Sequence, residues 1–191
     1  MPLVGSTSSN LIIQLRGTSG SGKTTLLRTA VNKLGGFDTF LRPTRIEGRR
    51  NPLYYSSSHL SVLGSYESVC GGCDTIHGYD QLIPLVLERH KVGNVLMEGL
   101  LLSEDVKQTL TLPNKSLRIL FLDTPLNVCL ARIRARRAAK GNTKPLSVTN
   151  TSNRVATIQR AKNRLVESGV FCKTVSSDEG LRLILNWLGT K

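Results

Sequence analysis

Acidic residues are scarce in this 191-residue chain. Thirteen Asp and Glu stand against 26 Lys and Arg, a formal net charge of +13 with a pI near 10.1. Cysteine is scarce too. The four, Cys70, Cys73, Cys129 and Cys172, are too few and too scattered for a disulfide framework at this size. Cys70 and Cys73 have CxxC spacing, but no second pair completes a zinc site, and His77 with Cys129 or Cys172 would have to supply the other ligands. A reduced, cytoplasmic protein is the better reading of that usage. Long apolar runs are missing: none approaches the roughly 20 residues of a membrane-spanning helix. Met1 to Asn10 has neither the positive charge nor the apolar stretch of a secretory signal. It reads as a short flexible leader, with one domain over 11–191 and no internal repeat.

The basic excess is unevenly spread. Between Asp123 and Glu167 there is no acidic residue, while Arg132, Arg134, Arg136, Arg137, Lys140, Lys144, Arg154, Arg160, Lys162 and Arg164 all fall there. Arg42, Arg45, Arg49 and Arg50 form a second group, opposed before Glu67 only by Glu47. Such concentration points to a polyanion such as DNA, since each phosphate neutralised releases condensed counterions. The plainer reading is a basic surface that serves solubility alone.

Leu11 to Leu15 is a short, almost wholly apolar run, as expected of a strand buried on both faces. A Gly/Ser-rich turn follows, then Lys23 to Leu34 with apolar residues at helical spacing, stopped by Gly35-Gly36. Further strands are expected at Asn94 to Met97, Leu117 to Leu122 and Phe171 to Val175. Helices are expected at about Tyr79 to His90, Thr124 to Ala139, Asn153 to Ser168 and Asp178 to Leu188, the last with Ser176 and Glu179 as a capping box. The alternation indicates an α/β fold, a parallel sheet covered on both faces. Two stretches interrupt it: 37–77, with β-like runs at Leu53 to Ser56 and Leu60 to Leu63, and the polar 137–152.

Gly17-Thr18-Ser19-Gly20-Ser21-Gly22-Lys23-Thr24, followed by Thr25, matches GxxxxGK[ST] in full. Gly17, Gly20 and Gly22 allow the loop to curl so that backbone N–H groups face phosphate oxygens, and the next helix turns its positive end to the same anion. Lys23 would reach the β- and γ-phosphates of ATP, and Thr24 would place its hydroxyl on Mg²⁺. A buried strand before the motif and an amphipathic helix after it are the context of a three-layer P-loop NTPase fold. In small kinases of this kind the two interruptions serve as acceptor-binding insertion (37–77) and lid (137–152).

The kind of P-loop protein is narrowed by what is absent. No NKxD motif reads guanine, and no strand ends in the Asp-Glu of oligomeric motors. The strand at Asn94 instead runs into Glu98, a single carboxylate at the sheet edge where ligands bind. Glu98 is a candidate Mg²⁺ ligand and a candidate base for an acceptor hydroxyl. Asp74, after Cys70-Gly71-Gly72-Cys73, is a second candidate base, although it could equally serve the turn. Asp123-Thr124-Pro125 and the arginine-bearing helix after it resemble the nucleoside- and nucleotide-kinase group, in which lid arginines stabilise the transferring phosphoryl group. Arg132 and Arg136, four apart on one face, are the candidates here. Tyr54, Tyr55 and Tyr66 could stack on an exposed base or belong to the core.

The segments GTSGSGKTT, LGSYESVCGGCDTI, LMEGLLLS and FLDTPLNVCLARIRARR together resemble the phage P-loop kinases that act on 5-hydroxymethyluracil in DNA, over about residues 11–140. The resemblance implies an ATP-dependent enzyme that phosphorylates the hydroxymethyl group within the polymer, a step towards hypermodified thymidine. A kinase of free nucleosides or nucleotides, a kinase of 5′-hydroxyl ends, and a nucleic-acid-binding ATPase are the other readings the residues leave open.

Overall fold

In a computed structural model, residues 10–68, 71–142 and 145–189 are described. The expected leader, apart from Asn10, and the Cys70 half of the CxxC lie outside them. The chain runs β1 (Ile12–Arg16), α1 (Lys23–Lys33), β2 (Arg42–Thr44), β3 (Tyr54–Ser56), β4 (Leu60–Leu63), α2 (Tyr79–Val92), β5 (Asn94–Glu98), α3 (Leu100–Glu104), β6 (Leu117–Leu122), α4 (Leu126–Ala138), α5 (Val148–Glu167), β7 (Phe171–Val175) and α6 (Ser177–Trp187).

Alternation along the strands sorts the core into two layers. Ile12 packs with Val95, Met97, Leu117 and Ile119 beneath α2, α3 and α5. Ile13 and Leu15 turn to the other face, with Leu26, Leu27, Ala30 and Val31 of α1 and Ile184 of α6. Strands buried on both faces belong to parallel sheets, and β4, β5, β1, β6 and β7 are parallel neighbours in the order β2-β3-β4-β5-β1-β6-β7. β2 and β3 extend one edge antiparallel. The five parallel strands therefore deliver Gly17, Gly64, Gly99, Asp123 and Ser176 to one edge of the sheet.

Several boundaries differ from expectation for identifiable reasons. Pro125 holds an extended ψ of 140°, so α4 begins at Leu126 rather than Thr124. The Ser147 hydroxyl accepts from the Asn150 N–H, which lets α5 start at Val148, and the polar residues 148–152 become its first turns. Ser176 caps α6 as expected, but the Glu179 carboxylate pairs with Lys173 at 2.7 Å instead of completing the box. α3, five residues long, is too short for periodicity to reveal. Tyr55 and Tyr66 are core residues, with ring centroids 4.9 and 5.4 Å from Phe37, and Tyr54 is half-buried under the Arg89 guanidinium. Packing removes Tyr55 and Tyr66 from reach of an external base.

Arg16 closes β1 as a fully buried guanidinium. It donates to Gln14 Oε1 at 2.7 Å, to Thr109 Oγ1 at 2.5 Å and to the Asp105 carbonyl at 2.6 Å, and it lies over the Phe121 ring. Burial pushes its pKa down to about 10, still charged at neutral pH. A buried cation is tolerated only with such partners, and here they anchor the residue immediately before Gly17.

Candidate active site

The loop from Gly17 to Thr24 is shaped by residues that admit no side chain. Gly20 (φ 79°) lies so close to α4 that a Cβ would fall 2.5 Å from the Cys129 carbonyl, and Gly22 (φ 98°) leads into α1. Three tethers hold the loop from outside. Thr124 Oγ1 donates to the Ser21 carbonyl at 2.8 Å, and Arg132 Nη1 to the Gly20 carbonyl at 3.1 Å. From the other side the Gly17 N–H donates to Ser103 Oγ at 3.1 Å, and that fully buried hydroxyl donates to the Gly99 carbonyl at 2.6 Å.

Lys23 is 7% exposed, and its ammonium donates to the Gly17 and Thr18 carbonyls at 2.8 and 3.1 Å. Burial lowers its pKa, opposed by the negative charge of Glu98 and Asp74. Thr24 Oγ1 donates to Glu98 Oε1 at 2.8 Å. Glu98 is 2% exposed. Burial raises its pKa, while Lys23 and the Thr24 hydrogen bond pull it back.

The glycine pair after Cys70 explains itself against this carboxylate. A Cβ on Gly72 (φ 79°) would lie 2.5 Å from the Glu98 carbonyl and 2.6 Å from Oε1, and one on Gly71 would lie 1.9 Å from the Ser65 carbonyl. The Ser65–Gly72 bridge thus sets bare backbone against Glu98. Asp74 continues from it, and both its oxygens accept the Leu100 N–H, at 3.0 and 2.8 Å, with Leu101 N–H at 3.3 Å. It holds the start of α3. Cys73 is buried with Sγ toward the Leu63 carbonyl, and burial pushes its thiol pKa well up.

These groups open onto a cavity of about 950 Å³ lined on one wall by Gly20, Gly22, Lys23, Thr24 and Thr25. Asp74 and Glu98 line it, as do Arg132 and Arg136, so the structure brings both candidate carboxylates and both candidate arginines to one space. Ser19 also lines it. Gly17, Thr18 and Ser21 do not: Gly17 faces Ser103, Ser21 is buried, and Thr18 lines a second cavity. Ser177, Asp178 and Leu181, at the start of α6, also line it. Sequence reasoning missed Ser103. The Ser103 hydroxyl has no motif of its own, but its place at the end of EGLLLS was a usable signal.

A family model described as 5-hmdU DNA kinase matches residues 7–181. A 5-hmdU DNA kinase of Pseudomonas phage PaMx11 is 41% identical over 142 residues, covering 70% of this chain and 73% of that one. One from Pseudomonas phage M6 is 28% identical over 184 residues, covering 89% and 93%. One from Delftia phage PhiW-14 is 25% identical over 178 residues, covering 84% and 66%.

Proposed function

Because the chain belongs to the 5-hmdU DNA kinase family, we propose that it transfers the γ-phosphate of ATP to the hydroxymethyl oxygen of 5-hydroxymethyluracil in DNA. The product would be 5-phosphomethyluracil, an activated intermediate for thymidine hypermodification in a phage genome within the host cytoplasm. The observation that carries the mechanism is the Thr24–Glu98 hydrogen bond beside Lys23, in a cavity floored by the glycine loop. A hydroxyl and a carboxylate beside a phosphate cradle suit Mg²⁺, which keeps water and substrate phosphates among its ligands and needs few from protein.

In this reading the chain has the three-layer P-loop NTPase fold, and Lys23 leaves the loop carbonyls to meet the β- and γ-phosphates. Thr24 and Glu98 would hold Mg²⁺, which when bound supplies charge neutralisation on the phosphates. The acceptor oxygen forms a bond to phosphorus while the bond to the ADP oxygen breaks, and the hydroxyl proton passes to a carboxylate. Glu98 is better suited than Asp74. Its Oε2 makes no hydrogen bond among the described residues, while Oε1 is held by the Thr24 hydroxyl. Asp74, with both oxygens on backbone N–H groups, acts by positioning α3. Arg132 and Arg136 would stabilise charge on the moving phosphoryl group. Residues 37–77 would contact the DNA acceptor strand, and 137–152 would form the lid.

The test incubates the protein with γ-labelled ATP and Mg²⁺. Its acceptors are 5-hydroxymethyluracil DNA, thymine DNA, 5′-hydroxyl oligonucleotides and free 5-hydroxymethyldeoxyuridine. Label confined to the hydroxymethylated polymer is expected. Label in the free nucleoside or at 5′ ends would replace this reading with the corresponding kinase.

A further inference from the structure

The second cavity, of about 570 Å³, lies between α3, α4 and the first turns of α5. It shares Ser19 and Arg136 with the larger cavity, so occupants of the two would meet at the tip of the glycine loop. Thr18 lines it, 6% exposed, with a buried hydroxyl that has no hydrogen-bond partner among the described residues. Asn150 and Asn153, neighbours on one face of α5, line the cavity with side-chain amides that make no hydrogen bond among the described residues. Arg154 is fixed by its Nε on Glu104 at 2.5 Å. Ile133 and Leu146 supply apolar wall.

Resting on the kinase reading above, we propose that this second cavity is the acceptor subsite. It takes a pyrimidine-2,4-dione base swung out of the DNA helix, with its C5 substituent at the loop tip. The base edge presents acceptor, donor and acceptor at O2, N3–H and O4. A carboxamide offers one donor and one acceptor, and a second amide or the Arg154 guanidinium supplies the remaining donor. The cavity falls within the range of small-ligand sites, with few polar groups against apolar wall. In a duplex N3–H and O4 are engaged by the opposite base, so reading them from α5 requires extrusion, as in other enzymes that act on a single base. The alternative occupant, a backbone phosphate, would use the arginines and leave the amides idle.

The experiment uses full-length protein, a DNA duplex carrying 5-iodouracil in place of the modified base, and a non-hydrolysable ATP analogue. Irradiation should crosslink the iodinated carbon to residues within 146–157 or to Thr18 and Ser19, mapped by peptide mass spectrometry. Crosslinks confined to 37–77, or none, would overturn the subsite. In parallel, Asn150→Ala/Asn153→Ala should raise KM for 5-hydroxymethyluracil DNA by about tenfold or more, leaving KM for ATP and the salt dependence of DNA binding unchanged. An unchanged KM for DNA, or a loss seen instead as a shallower salt slope, would mark a phosphate contact and reject the base. Wild-type protein that crosslinks at α5 yet fails to label hydroxymethylated DNA would refute the kinase reading while leaving the base subsite standing.

Discussion

The two cavities that meet at Ser19 are built from different materials. The larger has a backbone floor, the glycine loop, where Gly20 has no room for a Cβ and Thr124 and Arg132 clasp loop carbonyls, beneath charged side chains. The smaller is walled chiefly by side chains from α4, α5 and the end of α3, placed by helix packing. A backbone-built cradle binds what every nucleotide shares, its phosphates, whereas a side-chain-built one can discriminate among acceptors. Specificity is therefore expected to reside on the α5 side and phosphoryl chemistry on the loop side. The Glu98 carboxylate stands on the loop side.

Four substitutions would break or sharpen that contrast. Lys23→Ala should lower kcat about a thousandfold while DNA affinity, measured by anisotropy, largely survives. Joint loss of both would show that the two sides are not separable. Glu98→Gln should reduce kcat by about a hundredfold or more, with a distinct pH signature in stability. Because the native pKa of Glu98 is raised, the folded state holds this proton where the unfolded chain has released it. Its contribution to stability is present at low pH and lost as pH rises from about 4.3 through the raised native value. The Tm of the Gln variant relative to wild type should therefore climb across that window, and a flat difference in thermal melts would contradict the burial argument.

Gly72→Ala would force a Cβ to 2.6 Å from Glu98 Oε1 at a φ of 79°. A fall in Tm of about 3–8 °C is expected, with reduced turnover and little change in KM for ATP. Wild-type melting would show that the backbone at Gly72 yields more easily than its geometry suggests. Asp74→Asn should be mildest, costing about 1 kcal/mol or less of stability and less than about tenfold in kcat, since an amide oxygen can still accept from the Leu100 N–H. A loss as large as that of Glu98→Gln would transfer the role of base to Asp74.

Much of the loop side was legible in the residues. GxxxxGKT has a physical reason at nearly every position, and strand and helix periodicity placed β1, β5, β6 and β7 within a residue. Glu98 was legible from its position at a strand end. Asp74 was legible as a carboxylate near the site, but whether it serves chemistry or a helix start depended on which backbone N–H groups lay opposite. Arg16 falls just past the apolar run Leu11 to Leu15 and was not singled out, since nothing in its neighbours in sequence signals Thr109 or Asp105. Tyr55 and Tyr66 carried a stacking signal that packing against Phe37 cancels, because exposure is a property of the fold and not of the residue type.

By itself the sequence determined the alternation of elements, the glycine-rich GxxxxGKT loop and the concentration of positive charge, since each follows from local propensity, local motif or composition. Tertiary structure alone decided that Gly72 seats bare backbone on Glu98, that Ser103 ties Gly17 to Gly99, and that Asn150, Asn153 and Thr18 share a cavity. Those are contacts between segments tens of residues apart, and their partners are chosen by sheet order and helix packing, which no local pattern encodes.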